Sequence, residues 1–446
     1  MLDFQPSNSY NVVLGSDIMK AAIFTLGCKV NQYESQEMTE MLNKNGYLVV
    51  DSKEDADVYI INSCTVTAES NRKTRQAVRH FKSKHPDAAV VMTGCVPQAF
   101  PDEALGVKEA DIILGNKNNS QLIASLNKWF ESKKNIINIS QHENGEKYEG
   151  IIITEFSGHT RAFIKIQDGC NRFCSYCAIP YARGRSRSKP IEDIRTELAT
   201  LATNGFKEVV FVGINLSAYG RDIGLSLTDA VLAAENTDGI ERIRLGSLEP
   251  DHISDEMIDT FASCKKFCHQ FHISLQSGCD TVLKRMNRHY NSAEYKALAD
   301  KLRSSFDDTS ITTDIITGFP GETDDEFNTT VNFAKSIRFE KVHVFPYSIR
   351  EGTKAAKMDG HLQNAVKSQR ANLLSSVCEE IRKEAFSENN GKTFSVLFET
   401  PKNGWQHGYT RNYTPVKVQT DTDLSGQIRD VIITATDDDC CIGKLI

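Results

Sequence analysis

The sequence predicts an α/β protein with an N-terminal open parallel sheet, a central partial (β/α)6 barrel and a small C-terminal antiparallel β-barrel. Three observations carry this reading. Short apolar runs alternate with helical stretches from Met19 to Leu114, each run ending in Gly, Asn or Ser beside a cysteine or a glycine. A second series of six strand–helix units follows, and the chain from about residue 391 breaks into short β-rich runs separated by Asn, Gly, Thr and Asp.

In the first series, Ala21–Leu26 ends at Gly27-Cys28, Val58–Ile61 at Asn62-Ser63-Cys64, and Ala88–Met92 at Thr93-Gly94-Cys95. Ala110–Leu114 ends at Gly115. Between them, Ser35–Asn45 carries Met38, Met41 and Leu42 at helical spacing, and Arg72–Lys84 reads as a basic helix. Short apolar strands alternating with helices indicate a parallel sheet covered on both faces. All strands of such a sheet finish on one edge, where ligands bind. One repeat per cysteine therefore delivers Cys28, Cys64 and Cys95 to a common rim.

Residues 118–132 are expected to close this part as a helix, and 133–149 are polar enough for a linker. The second series has strands at Ala162–Ile166, Glu208–Val212, Ile243–Gly246, Gln270–Leu275, Ser310–Ile316 and Lys341–Phe345, with helices such as Pro190–Asn204 and Thr323–Ser336 between them. Polar residues gather at the strand ends, as in a barrel whose site lies at the C-terminal face. The expected organisation is a disordered leader (1–18), an N-terminal domain (19–132), a linker (133–155), the barrel (156–388) and a terminal domain (389–446). In the terminal domain Trp405, Tyr409 and Tyr413 fit base stacking and barrel packing equally well. Its charge favours no polyanion, with six Lys/Arg against seven Asp/Glu from Gly391 onward.

The net charge of −7 over 446 residues excludes wholesale non-specific binding of nucleic acid. Between Arg161 and Lys189, however, seven basic residues face one acid, Asp168, which suits a polyanion brought to that segment. No apolar run approaches the roughly 20 residues of a membrane span. No signal peptide is evident, so a reducing cytoplasm and free thiols are expected.

Six of the twelve cysteines form two constellations. One is Cys28, Cys64 and Cys95. The other is the run Cys170-Asn-Arg-Phe-Cys174-Ser-Tyr-Cys177, with CxxxCxxC spacing. Thiolates hold iron–sulfur clusters, and three ligands on a four-iron cluster leave one iron open for a substrate or cofactor. Zinc prefers paired CxxC half-sites with a fourth Cys or His, which neither constellation offers. Cys264, Cys268 and Cys279 are read as incidental, Cys378 as the packed face of a helix, and Cys440-Cys441 as forming no site.

With Tyr176 before its last cysteine, the CxxxCxxC run resembles the radical S-adenosylmethionine superfamily. Combined with Thr25-Leu-Gly-Cys28-Lys-Val-Asn31, Asn62-Ser-Cys64, Thr93-Gly-Cys95, Ile179-Pro-Tyr-Ala-Arg-Gly-Arg185, His272-Ile-Ser-Leu-Gln-Ser-Gly278, Lys284-Arg-Met-Asn-Arg288, Thr313-Asp-Ile-Ile-Thr-Gly-Phe-Pro-Gly-Glu-Thr323 and Phe345-Pro-Tyr-Ser-Ile-Arg-Glu-Gly-Thr353, it is similar to the methylthiotransferases. The resemblance implies an N-terminal auxiliary-cluster domain, a radical barrel and a C-terminal TRAM domain. It also implies two 4Fe-4S clusters on the six cysteines and two uses of S-adenosylmethionine, one to methylate a sulfur and one to generate the adenosyl radical that takes hydrogen from C2 of an adenine. The Cys28-Lys-Val-Asn form resembles the branch acting on N6-threonylcarbamoyladenosine at position 37, in the anticodon loop of tRNA.

Tyr176, Glu249, Gln276 and Asp314 are then expected to contact S-adenosylmethionine. Arg183, Arg185 and Arg350 are candidates for tRNA phosphates or the threonyl carboxylate, a structural ion pair being the alternative for each. Isopentenyl-adenosine tRNA and a ribosomal protein remain alternative substrates. An electron-transfer or cluster-scaffold protein, or a zinc-stabilised RNA-binding module, remains an alternative class. A reducing electron donor is implied; its identity and the oligomeric state are open.

Overall fold

The computed structural model describes residues 18–154 and 160–446. The expected leader thus falls, save for its last residue, outside the described residues, as do residues 155–159. The first sheet has six strands: β1 (Lys20–Thr25), β2 (Leu48–Val50), β3 (Val58–Ser63), β4 (Ala89–Gly94), β5 (Ile112–Leu114) and β6 (Ile136–Asn138). Their order is β2-β1-β3-β4-β5-β6 and every pairing is parallel. One core packs Phe81, Val90 and Met92 on one face, and another packs Leu42, Val91 and Leu126 on the other. Burial on both faces is why β3 and β4 read as unbroken apolar runs. The stretch expected to be linker contributes β6 to the sheet edge; three residues among polar neighbours were too short a signal.

Eight strands make the second body: β7 (Arg161–Asp168), β8 (Arg187–Ser188), β9 (Glu208–Gly213), β10 (Arg242–Leu245), β11 (Ser247–Leu248), β12 (Gln270–Ile273), β13 (Ser310–Thr317) and β14 (Lys341–Pro346). They form two four-stranded halves, β8-β7-β9-β10 and β11-β12-β13-β14, linked where the chain runs from β10 to β11 through Gly246. Apart from the short antiparallel β7/β8 pair, the pairings are parallel. The six longer parallel strands match the six predicted units, and a single apolar core runs beneath both halves. The barrel is open between β8 and β14.

The helix Asn364–Ser387 leaves the barrel, burying Leu374 and Cys378, and leads to the last body. There β15 (Thr393–Phe398), β16 (Gln406–Thr410), β17 (Pro415–Val418), β18 (Ile428–Thr436) and β19 (Cys441–Leu445) close in the order β15-β16-β17-β19-β18. Closure removes exposed sheet edges. One pairing, β17 with β19, is parallel; the others are antiparallel.

Tyr409 and Tyr413 stack on each other at 4.5 Å, under the guanidinium of Arg161 at 4.8 and 5.0 Å and that of Arg244 at 4.6 Å from Tyr413. Arg242 donates to the carbonyls of Ser395 (2.8 Å) and Tyr409 (3.0 Å). These two tyrosines dock the small barrel onto the large one, where their paired rings are already covered by arginine.

Candidate functional site: two cysteine triplets around one barrel

β1, β3 and β4 are neighbours in the first sheet, and each ends at a cysteine of the first triplet. Cys28 caps the helix Lys29–Lys44, Cys64 follows Ser63, and Cys95 opens a short helix. Two glycines allow the strand ends to close up. Gly27 has φ of +112°, and a Cβ there would lie 2.6 Å from the Cys64 Cβ. Gly94 has φ of +93°, and a Cβ would lie 2.5 Å from the Ser63 carbonyl oxygen. Asn31 donates to the Ser63 carbonyl (2.9 Å) and Asn62 to the Asn31 carbonyl (2.9 Å), tying the Cys28 and Cys64 turns together.

A buried ion-pair network lies behind this triplet. Arg183 holds Glu34 through both nitrogens (2.6 and 2.9 Å) and reaches Asp168 at 3.2 Å; Lys165 bonds Glu34 at 3.1 Å and Asp168 at 3.3 Å. Burial works against the Asp168 carboxylate, yet Lys165, Arg183 and Arg187 hold it well below the usual range. Burial lifts the Cys95 thiol to about 12, against the attraction of Arg183. The network joins the first sheet's helix to the end of β7, which leads directly into the second triplet.

The second triplet lies on the loop after β7. Burial lifts Cys170 to about 11 and raises Cys177 further. Arg288 donates to the Cys174 sulfur at 3.2 Å and pairs with Glu249; Arg172 pairs with Asp251 through two bonds of 2.7 and 2.8 Å. Ser175 is fixed by the carbonyls of Met286 (3.0 Å) and Arg285 (2.9 Å). Tyr176 packs beside Phe319, with ring centroids 6.4 Å apart. The Gln276 backbone, at φ of +67°, bonds the Asp314 carbonyl at 2.9 Å, so these two expected cofactor residues sit side by side.

All twelve thiols are free. Among the described residues, no three Cys, His, Asp or Glu side chains are gathered tightly enough to share a single metal ion. A four-iron cluster makes a different demand, one thiolate per iron around a common space. The donor sets fit it: each is three thiols, and each has buried guanidinium charge beside it, Arg183 near Cys95, Arg350 near Cys64 and Arg288 on Cys174. Buried thiols raised in pKa are held as thiolates when a metal takes the place of the proton.

The lumen of the barrel connects the parts. Strand alternation turns Gln270 and His272, Thr312 and Asp314, and Lys341, His343 and Phe345 inward, and they line a cavity of about 550 Å³ together with Cys28 and Lys29. His272 pairs with Asp314 at 3.3 Å. The cavity is of the size that takes a small molecule or a nucleobase.

Two of the three expected arginine contacts to substrate are corrected by burial. Arg183 is 1% exposed and engaged with Glu34 and Asp168. Arg350 is buried, donating to Thr65 (2.7 Å) and Asn71 (3.0 Å) over the Phe100 ring. Only Arg185 reaches solvent; it lies 4.8 Å over the exposed Phe173 ring, near the exposed Tyr181. The sequence places Arg288, Lys29 and His272 within motifs that give them no role of their own, and no motif contains Lys341 or His343, so Lys29, His272, Lys341 and His343 are not singled out there. Strand alternation was the signal that could have found the last three.

Comparison with known proteins decides the family. Residues 164–334 match the Radical SAM superfamily, and residues 20–115 match a family described as uncharacterized protein family UPF0004. The chain is 36% identical over 414 residues to the threonylcarbamoyladenosine tRNA methylthiotransferase MtaB of Bacillus subtilis (strain 168), covering 91% of this chain and 92% of that protein. The chain belongs to the radical S-adenosylmethionine methylthiotransferase family. This methylthiotransferase is also 39% identical over 378 residues to the MtaB of Thermotoga maritima (84% of this chain, 86% of that one). It is 35% identical over 427 residues to the tRNA-2-methylthio-N(6)-dimethylallyladenosine synthase of Pelotomaculum thermopropionicum (93% and 95%).

Among solved structures, the radical S-adenosylmethionine methyltransferase TsrM of Kitasatospora setae superposes with a TM-score of 0.55 at 14% identity, over 76% of this chain and 74% of that one; this likeness is one of fold. As a member of the Radical SAM superfamily the methylthiotransferase is an enzyme of radical chemistry that uses S-adenosylmethionine and a 4Fe-4S cluster. Among its described residues no helix is long and apolar enough to cross a membrane.

Proposed function

We propose that the enzyme converts N6-threonylcarbamoyladenosine at position 37 of tRNA to its 2-methylthio derivative. The observation that carries this reading is the opening of Cys28, from the first triplet, onto the barrel's own cavity. A sulfur-bearing centre on Cys28, Cys64 and Cys95 would then share one chamber with a base bound in the lumen. Two 4Fe-4S clusters, the second on Cys170, Cys174 and Cys177, would each keep an open iron. With S-adenosylmethionine they supply the radical chemistry that exchanges the adenine C2 hydrogen for a methylthio group.

The chain's own residues position and seal. Tyr176, Glu249, Gln276 and Asp314 orient S-adenosylmethionine beside the second triplet. Arg185, Phe173 and Tyr181 offer charge and ring faces to the anticodon loop, whose single-stranded base is extruded for a few kcal/mol. A reducing donor in the cytoplasm delivers electrons. We assign 19–132 to the auxiliary-cluster domain, 156–388 to the radical barrel and 389–446 to the TRAM domain.

Mass analysis of tRNA nucleosides from a deletion strain tests the reading. Loss of the 2-methylthio form of threonylcarbamoyladenosine, with the isopentenyl form intact, is expected. Loss of the 2-methylthio isopentenyl form instead would establish the alternative that the 35% identity to the dimethylallyladenosine synthase favours. Unchanged tRNA would refute both.

A further inference from the structure

The lumen carries unmatched positive charge. Where the barrel meets the small domain, Arg161, Arg242, Arg244 and Lys29 surround two carboxylates, Glu208 and Glu399. Glu208 serves the three arginines at 3.9, 3.8 and 2.9 Å, and Glu399 serves Arg161. Lys29 has no carboxylate within ion-pair distance among the described residues, its nearest assigned contact being the Phe163 ring at 5.9 Å. Further along the same cavity Lys341 has no ion pair among the described residues, and the one acid among the described lining residues, Asp314, is engaged by His272. Both ammonium groups are exposed to the water of the open cavity, where a cation without a carboxylate partner can take up an anion in a charge-assisted contact.

Two of the three arginines expected to meet the substrate's carboxylate are unavailable for it, since Arg183 and Arg350 are buried in bonds of their own, and the third, Arg185, lies over the exposed Phe173 ring and does not line this cavity. The threonylcarbamoyl group carries one carboxylate; the isopentenyl group carries none. A carboxylate in this cavity gains charge-assisted contacts with two ammonium groups that an apolar substituent cannot make, so the lining itself discriminates.

We propose that Lys29 and Lys341 bind the carboxylate of the substrate's N6-threonylcarbamoyl group in the cavity onto which Cys28 opens. This rests on the functional reading above and names the residues that set its specificity. The position following the first cysteine of the auxiliary triplet thereby acts on substrate choice as well as on the cluster turn.

The test measures binding, at fixed salt, of anticodon stem–loop RNAs to the cluster-reconstituted protein. Position 37 carries threonylcarbamoyladenosine, its methyl ester or isopentenyl-adenosine. A charge-assisted contact predicts that the wild-type protein binds the acid about tenfold or more tighter than the ester. In Lys29→Gln and in Lys341→Gln that ratio should fall towards one. Iron content is measured on each variant, and Lys341, distant in sequence from all six cysteines, provides the arm independent of the cluster turn. A ratio retained in both variants overturns the proposal, as does a wild-type protein that treats acid and ester alike while still preferring both to the isopentenyl RNA. Equal wild-type binding of the threonylcarbamoyl and isopentenyl RNAs overturns the functional reading instead.

Discussion

The Arg288 guanidinium donates a hydrogen bond to the Cys174 sulfur at 3.2 Å while its other nitrogen pairs with Glu249. Hydrogen bonds and positive charge at a ligating sulfur raise a cluster's reduction potential. Arg288→Met is therefore expected to lower the potential of the cluster on the second triplet, read by redox titration with electron paramagnetic resonance. Release of 5′-deoxyadenosine should fall about tenfold or more, the loss of one charge-assisted contact. Arg288→Lys, which keeps the charge, should recover part of the potential; an unchanged potential in the Met variant would remove Arg288 from the account.

Arg183 neutralises two buried carboxylates, Glu34 and Asp168, from opposite sides of the junction between the first sheet and β7. Arg183→Met leaves Lys165 as the one cation that Glu34 and Asp168 share and should destabilise the fold by about 3–5 kcal/mol, the cost of breaking a buried ion pair from one side. Urea unfolding measures it. Glu34→Gln combined with Arg183→Met should recover part of the loss, because fewer carboxylates are then left uncompensated.

Burial lifts Glu37 to about 7, against the attraction of Lys165. Between the ordinary carboxyl value and 7 the unfolded chain has lost this proton and the folded one retains it, so Glu37 lowers stability as pH rises through that window. Glu37→Gln removes the dependence. Its melting temperature relative to wild type should be higher at pH 8 than at pH 5. A difference that does not change with pH would contradict the assignment.

The phase of the strands and cysteines was readable because it is local: a strand, a glycine or serine and a thiol recur within each repeat, and parallel topology does the rest. The fold of the barrel was readable for the same reason. What escaped depends on contacts between distant segments. Arg242 meets Ser395 across 153 residues, and Arg350 meets Thr65 across 285, so nothing near either arginine in sequence marks it as buried. Tyr409 and Tyr413 carry the chemistry of base stacking yet serve a joint between domains, a choice made by Arg161 and Arg244 rather than by the tyrosines. β6 and β8 are three and two residues long, below any periodic signal.

The central claim is that the two thiol triplets hold two separate four-iron clusters. Anaerobic reconstitution followed by iron and sulfide counting tests it on the wild-type protein, Cys64→Ala and Cys174→Ala. About eight irons per wild-type chain and about four in each variant are expected, with cleavage of S-adenosylmethionine retained in the wild type and in Cys64→Ala and lost in Cys174→Ala. About four irons in the wild-type chain, with Cys64→Ala no different from it, would contradict the account.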